Sequence, residues 1–126
     1  MPRTHLRAFA NDRVILVAAV AGVATCDLNL GNVFQIVLGA NTTIALTGVA
    51  SSLTDPTTAT SQKVTFIIVQ NASSAHTLTW PSNVHGGMTV SATLSSINVQ
   101  EFVCSNNGSD LYSAAAGVTG LTGGTP

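Results

Sequence analysis

The stretch Lys63–Pro81, KVTFIIVQNASSAHTLTWP, decides how the rest of the chain is read. Val64–Gln70 is a run of β-branched and aromatic residues, which suits a pleated, half-buried surface better than a helix. Asn71–Ala75 gathers turn formers. His76–Trp80 then alternates, with Leu78 and Trp80 on one face and Thr77 and Thr79 on the other. This pattern predicts a β-hairpin with Asn71–Ala75 as its loop, ended by Pro81, which cannot donate to a ladder. The only Trp of the chain then lies beside Val64, Phe66 and Ile68, which share a parity. The hairpin is expected to be the central pair of a β-sandwich or jelly-roll.

Working outward toward the N-terminus, Thr43–Thr47 is a short strand with Ile44 and Leu46 inward, and Val33–Leu38 is another with Phe34, Ile36 and Leu38 inward. Gly39–Asn41 and Gly31–Asn32 supply the turns, and Val23–Leu30 alternates as a strand. Gly48–Gln62 is Ser/Thr/Ala-rich, contains Asp55–Pro56, and reads as the longest loop. Val14–Ala24, VILVAAVAGVA, is apolar throughout and follows a basic start. It has some look of a signal peptide ahead of Cys26. It is too short to span a bilayer, and Thr25 is a poor residue before a lipidated cysteine, so a buried or partner-covered strand is the preferred reading. Met1–Asp12 reads as an extended arm. Toward the C-terminus, Ser82–Gly87 is a turn, Met88–Leu94 alternates as a strand, and Ile97–Cys104 is the next strand. Asn107–Gly108 is a hairpin signal leading into Leu111–Ala115. Gly117–Pro126 is Gly/Thr-rich and reads as a tail that only a partner would order.

Strands at intervals of about eight to twelve residues with polar turns between them point to an all-β domain. The expectation is one antiparallel β-sandwich or jelly-roll over 23–116, an N-terminal arm and apolar strand over 1–22, and a flexible tail over 117–126. A chain of 126 residues is one domain. Only 7% of its residues are charged, against about 25% in typical domains. The net charge is −1, so a basic nucleic-acid footprint is absent. Solubility rests on Ser, Thr and Asn, which suits a surface packed against copies of itself or a larger assembly.

The search for chemistry is mostly negative. His5, His76 and His85 lack metal-ligand spacing; His76 and His85 flank one hairpin end, where exposed loop histidines are the simpler reading. Asp27 and Glu101 fall on strands that could be neighbours, yet a glycosidase needs two carboxylates across a cleft, and surface or ion-paired roles are preferred. No G-x-S-x-G elbow occurs. Phe9, Phe34, Phe66, Phe102, Trp80 and Tyr112 are too dispersed for a nucleotide-stacking platform and read as core. Cys26 and Cys104 could form one disulfide, though two small buried hydrophobes is the simpler account. No enzyme, cofactor or metal is expected.

From about Cys26 to about Ala116 the order of elements resembles a family of small tailed-phage virion modules found as capsid decoration (cement) proteins and as tail-fibre repeats. The similar segments are DLNLGNVFQIVLGANTTIALTG, KVTFIIVQNASSAHTLTWPSNVHGG and SINVQEFVCSNNGSDLYSAAAG. Gly31, Asn32 and Phe34, then Gln70, Trp80, Pro81 and Gly87, then Phe102, Gly108 and Tyr112 occupy the matching places. His85 stands where the pattern often has an aromatic. The resemblance implies a non-catalytic β-sandwich or jelly-roll subunit that trimerises on a virion. On that basis the expected function is capsid decoration, with a tail-fibre or spike head binding host glycan through Gly48–Gln62 and Ser82–Gly87 as the alternative. The expected partners are further copies of the chain, as a trimer, and the major capsid protein, with neither nucleic acid nor membrane. Contacts to a neighbour or the shell are expected from Arg3, Arg7, Phe9, Arg13, Val14 and Leu16, the arginines pairing with capsid carboxylates.

Overall fold

The computed structural model describes residues 13–47, 63–104 and 110–122. Every regular element among them is a strand: β1 (Val14–Val17), β2 (Val23–Asp27), β3 (Val33–Val37), β4 (Thr42–Thr47), β5 (Lys63–Val69), β6 (Leu78–Thr79), β7 (Val84–His85), β8 (Ile97–Cys104), β9 (Leu111–Ser113) and β10 (Val118–Leu121). The all-β expectation is met. The strands form a seven-stranded sheet, β1-β3-β5-β8-β9-β7 with β10 also on β8, and a three-stranded sheet, β2-β4-β6.

The first six strands go alternately to the two sheets, and each lies parallel to the strand two before it. Val14 faces Val33 and Val33 faces Thr65 in the large sheet; Val23 faces Thr43 and Thr42 faces Leu78 in the small one. Parallel neighbours need a crossover, and here each crossover is a strand of the opposite sheet. The circuit advances by one strand spacing, about 4.8 Å, per turn. The β1–β2 corner is tight: Val20 and Val23 exchange both backbone hydrogen bonds, at 2.8 and 3.1 Å, around Ala21 and Gly22 with φ +54° and +79°. After the third circuit β8 runs antiparallel to β5 along its whole length and ends the winding.

The inward residues of both sheets meet in one core. Phe34, Ile36 and Leu38 are fully buried, as are Ala24 and Cys26 from the small sheet and Val64, Phe66, Ile68 and Phe102 from the large one. Phe66 is its centre, stacked on Phe34 at 5.9 Å and edge-on to Trp80 and Phe102 at 5.2 and 5.7 Å. Such aromatic pairs contribute about 0.5–1.5 kcal/mol beyond area burial. Trp80 donates through Nε1 to the carbonyl of Met88 at 2.9 Å. Gly87 is required there, because a Cβ on it would sit 2.3 Å from Trp80 Cδ1.

Four expectations are corrected. The pairing is mixed, not antiparallel. Lys63–Pro81 is not a hairpin: β5 already has β3 and β8 as neighbours, and β6 joins the other sheet. Trp80 still meets Phe66, but across the core. The chain is turned between them by Asn71, whose Oδ1 accepts from the amides of Ser73 and Ser74, and by Gln70. The Gln70 amide makes four hydrogen bonds, to both backbone groups of His76, to the Asn71 amide and to the Ser91 carbonyl, each at 2.9 Å.

Met88–Leu94 is not a strand either. Its backbone is bonded by side chains: Met88 N–H to Gln100 Oε1 at 2.7 Å and Ser91 N–H to Asn98 Oδ1 at 3.1 Å. Asn98 and Gln100 sit at inward positions of β8, where period-2 reading expects apolar residues, and each is buried. The expected flexible tail is partly a strand: β10 pairs with β8, Val118 opposite Val99 and Leu121 opposite Ile97, with a bulge at Gly120 (φ +71°) whose amide donates to Asn98. Gly48–Gln62 and the Asn107–Gly108 turn lie outside the described residues, although β8 and β9 pair antiparallel as that turn requires.

Candidate functional site: the outer face of the large sheet

Alternation along a strand sends every second side chain away from the core. In the large sheet the outward positions are mostly apolar, and the register lines them up in rows. One row runs Val37, Val69, Ile97, Leu121; the next runs Leu16, Gln35, Ile67, Val99, Val118; a third runs Val14, Val33, Thr65, Glu101. Leu16 is 74% exposed, Val37 57%, Val118 54% and Leu121 44%, while Ile67, Val69, Ile97 and Val99 are half-buried. Lys63 and Glu101 are the charged strand residues among these rows and the positions beside them. They are diagonal neighbours, since Lys63 faces Val103 and Glu101 faces Thr65. An apolar area of this extent makes this face the candidate interaction surface.

A more polar corner adjoins it. Lys63, Val103, Tyr112 and His85 follow one another across β5, β8, β9 and β7. The His85 ring stacks on Tyr112 at 4.6 Å and 14°, and its Nε2 lies 3.1 Å from Asp110 Oδ1. Tyr112 is 43% exposed. Reading the sequence missed this cluster because its members are separated along the chain; the signal available was that His85 and Tyr112 each follow the inward apolar residue of a short strand, Val84 and Leu111. His76 takes other partners, its Nε2 facing Ser74 Oγ at 3.3 Å. Asp27 and Glu101 are on different sheets, so no carboxylate pair forms between them; Asp27 Oδ1 instead accepts from the Asn29 amide at 2.9 Å.

Of the expected contact residues, Arg3, Arg7 and Phe9 lie outside the described residues. Arg13 and Val14 are exposed at the start of β1, the edge strand of the large sheet, and Leu16 projects from it. A shallow apolar recess of about 320 Å³ runs beside them, lined by Leu16, Val17, Ala18, Gln35 and Val37. Cys26 is a free, buried thiol, so it is not bonded to Cys104, and burial pushes its pKa up to about 12. Among the described residues no group of three or more His, Cys, Asp or Glu is placed to hold a metal ion, and no helix is long and apolar enough to cross a membrane. Compared with protein-family models, curated proteins and solved structures, the chain matches none.

Proposed function

We propose that this chain is a structural virion protein, a capsid decoration (cement) subunit that oligomerises on the capsid surface and stabilises the shell. The observation that carries this reading is the apolar outer face of the large sheet on a chain with 7% charged residues. Such a face is favourable only when covered. In this reading the two sheets and their shared core act as a sandwich-type scaffold, and Arg13, Val14 and Leu16 on the edge strand continue into an arm that reaches a neighbour or the shell. The work is mechanical: many shallow contacts between adjacent capsomers, summed by multivalency. Electron microscopy of the particle that contains the chain tests it. Hundreds of copies over the shell are expected; a few copies confined to a tail, or none on a particle, would sink the proposal.

The second reading, a tail-fibre or spike head for host glycan, draws on the corner of Tyr112, His85 and Asp110. An exposed aromatic ring beside a part-exposed carboxylate is what a sugar face and its hydroxyls bind. Titrating the chain with oligosaccharides while following Tyr112 resonances tests it; unmoved signals at millimolar sugar would remove it.

A further inference from the structure

We infer that the outer face of the large sheet packs against the same face of a second copy of this chain, with Lys63 of each copy over Glu101 of the other. This rests on the reading of the chain as a self-associating subunit and names the surface, which is not the N-terminal arm alone.

Three observations select a copy of the chain as the occupant. The first is charge. The apolar rows are flanked by one cation and one anion as diagonal neighbours, Lys63 and Glu101, both exposed and joined by no ion pair among the described residues. A two-fold axis lying in the interface and passing between them puts each over its opposite, so the face is complementary to itself. The second is shape. Sheets stack face to face about 10 Å apart when their side chains interdigitate, and the row Leu16–Gln35–Ile67–Val99–Val118 grades from longer side chains on β1, β3 and β5 to shorter ones on β8 and β10, so a two-fold axis running between β5 and β8 sets Ile67 and Gln35 of one copy against valines of the other. The third is size. Five strands, β1, β3, β5, β8 and β10, at about 4.8 Å spacing and some five residues long at about 3.3 Å each give a footprint of roughly 400 Å² per copy. Two copies then bury on the order of 1,000 Å² of accessible surface, at the low end for specific interfaces. A pair of this size belongs with the weak, reversible associations, and repetition holds it on a particle.

Sedimentation of the full chain from low micromolar to millimolar concentration tests this. Val99→Lys is expected to weaken self-association at least tenfold, and Thr43→Lys, on the outer face of the small sheet, to leave it unchanged. Because a lysine at the half-buried Val99 could disturb folding, a second set uses exposed positions alone. Lys63→Glu or Glu101→Lys singly should weaken association severalfold, and the double exchange should restore it. An unchanged constant for Val99→Lys with an intact melting transition, or failure of the double exchange to restore what each single exchange weakens, would overturn the inference and leave the decoration reading standing. A wild-type chain that stays single alone but loses attachment to shells on Val99→Lys would also overturn it, assigning the face to the shell protein. A chain that is single at millimolar concentration and adheres to no particle would remove both.

Discussion

At the scale of single residues, backbone and packing constraints are concentrated at a few positions. Ala21 sits at φ +54° in the two-residue corner between Val20 and Val23, and a left-handed conformation costs a non-glycine residue about 1 kcal/mol or more. Asn tolerates that region and forms the preferred Asn-Gly turn. Ala21→Asn is therefore expected to stabilise the fold by about 0.5–1 kcal/mol in urea denaturation. Gly87→Ala should act in the opposite sense, by about 1–3 kcal/mol, since its methyl would occupy the edge of the Trp80 indole. Cys26 sets an alkaline limit. Its thiolate forms in the unfolded chain from about pH 9 and in the folded chain only near pH 12. The contribution is complete below pH 9 and is lost as pH rises toward 12, by up to about 1.4 kcal/mol per pH unit. Cys26→Ala should flatten that part of the stability profile, and the native thiol should resist alkylation at pH 8 until the protein is unfolded.

At the scale of elements, the crossing between β6 and β8 shows how irregular backbone is kept inside a fold. Buried backbone groups need partners, and here three side-chain amides supply them: Gln70, which gives to the Ser91 carbonyl, Asn98 and Gln100. Gln100 takes the Met88 amide and gives to Gly86 and to Ser113 Oγ at 2.8 Å; Asn98 takes Ser91 and Gly120 and gives to Ile68. Gln100→Leu would leave several of these groups unpaired and is expected to cost about 2–4 kcal/mol in chemical denaturation. Gln35→Leu, on the outer face, should change stability by less than about 0.5 kcal/mol and would enlarge the apolar surface. A comparable loss from both would show that the amide network does not hold the crossing. Most strands lie where the sequence predicts them, because period-2 alternation is local. Phe34, Ile36 and Leu38, or Val64, Phe66 and Ile68, face inward as their spacing requires. Met88–Leu94 departs from its alternation because its backbone partners are glutamine and asparagine side chains rather than a neighbouring strand.

At the scale of the whole molecule, the winding of the chain between two sheets leaves one broad apolar face on the large sheet, with β1 at one of its edges. Among the described residues, Ile15 and Val17 are the first to pack against the core. Removing Met1–Asp12 should therefore leave the melting temperature within a few degrees of the full chain, while the decoration reading expects attachment to shells to be lost. Co-sedimentation with shells checks this, and equal attachment by the truncated chain would show that the arm has no part in it. The candidate surface was only partly legible beforehand. Val14 and Leu16 were singled out as contact residues, yet Ile67, Val69, Val99, Val118 and Leu121 were not.

The amino-acid sequence alone determined that the chain is all-β, which residues of strands such as β3, β4 and β5 point inward, and that charge is scarce, since these follow from periodicity and composition within a few residues. Which strands become neighbours was decided only in three dimensions. An alternating segment satisfies a parallel or an antiparallel ladder equally well, and the choice came from Gln70 and Asn71 turning the chain across the core so that Trp80 meets Phe66 from the opposite sheet. The apolar face exists for the same reason: its rows collect residues from β1 to β10, and no local stretch contains them.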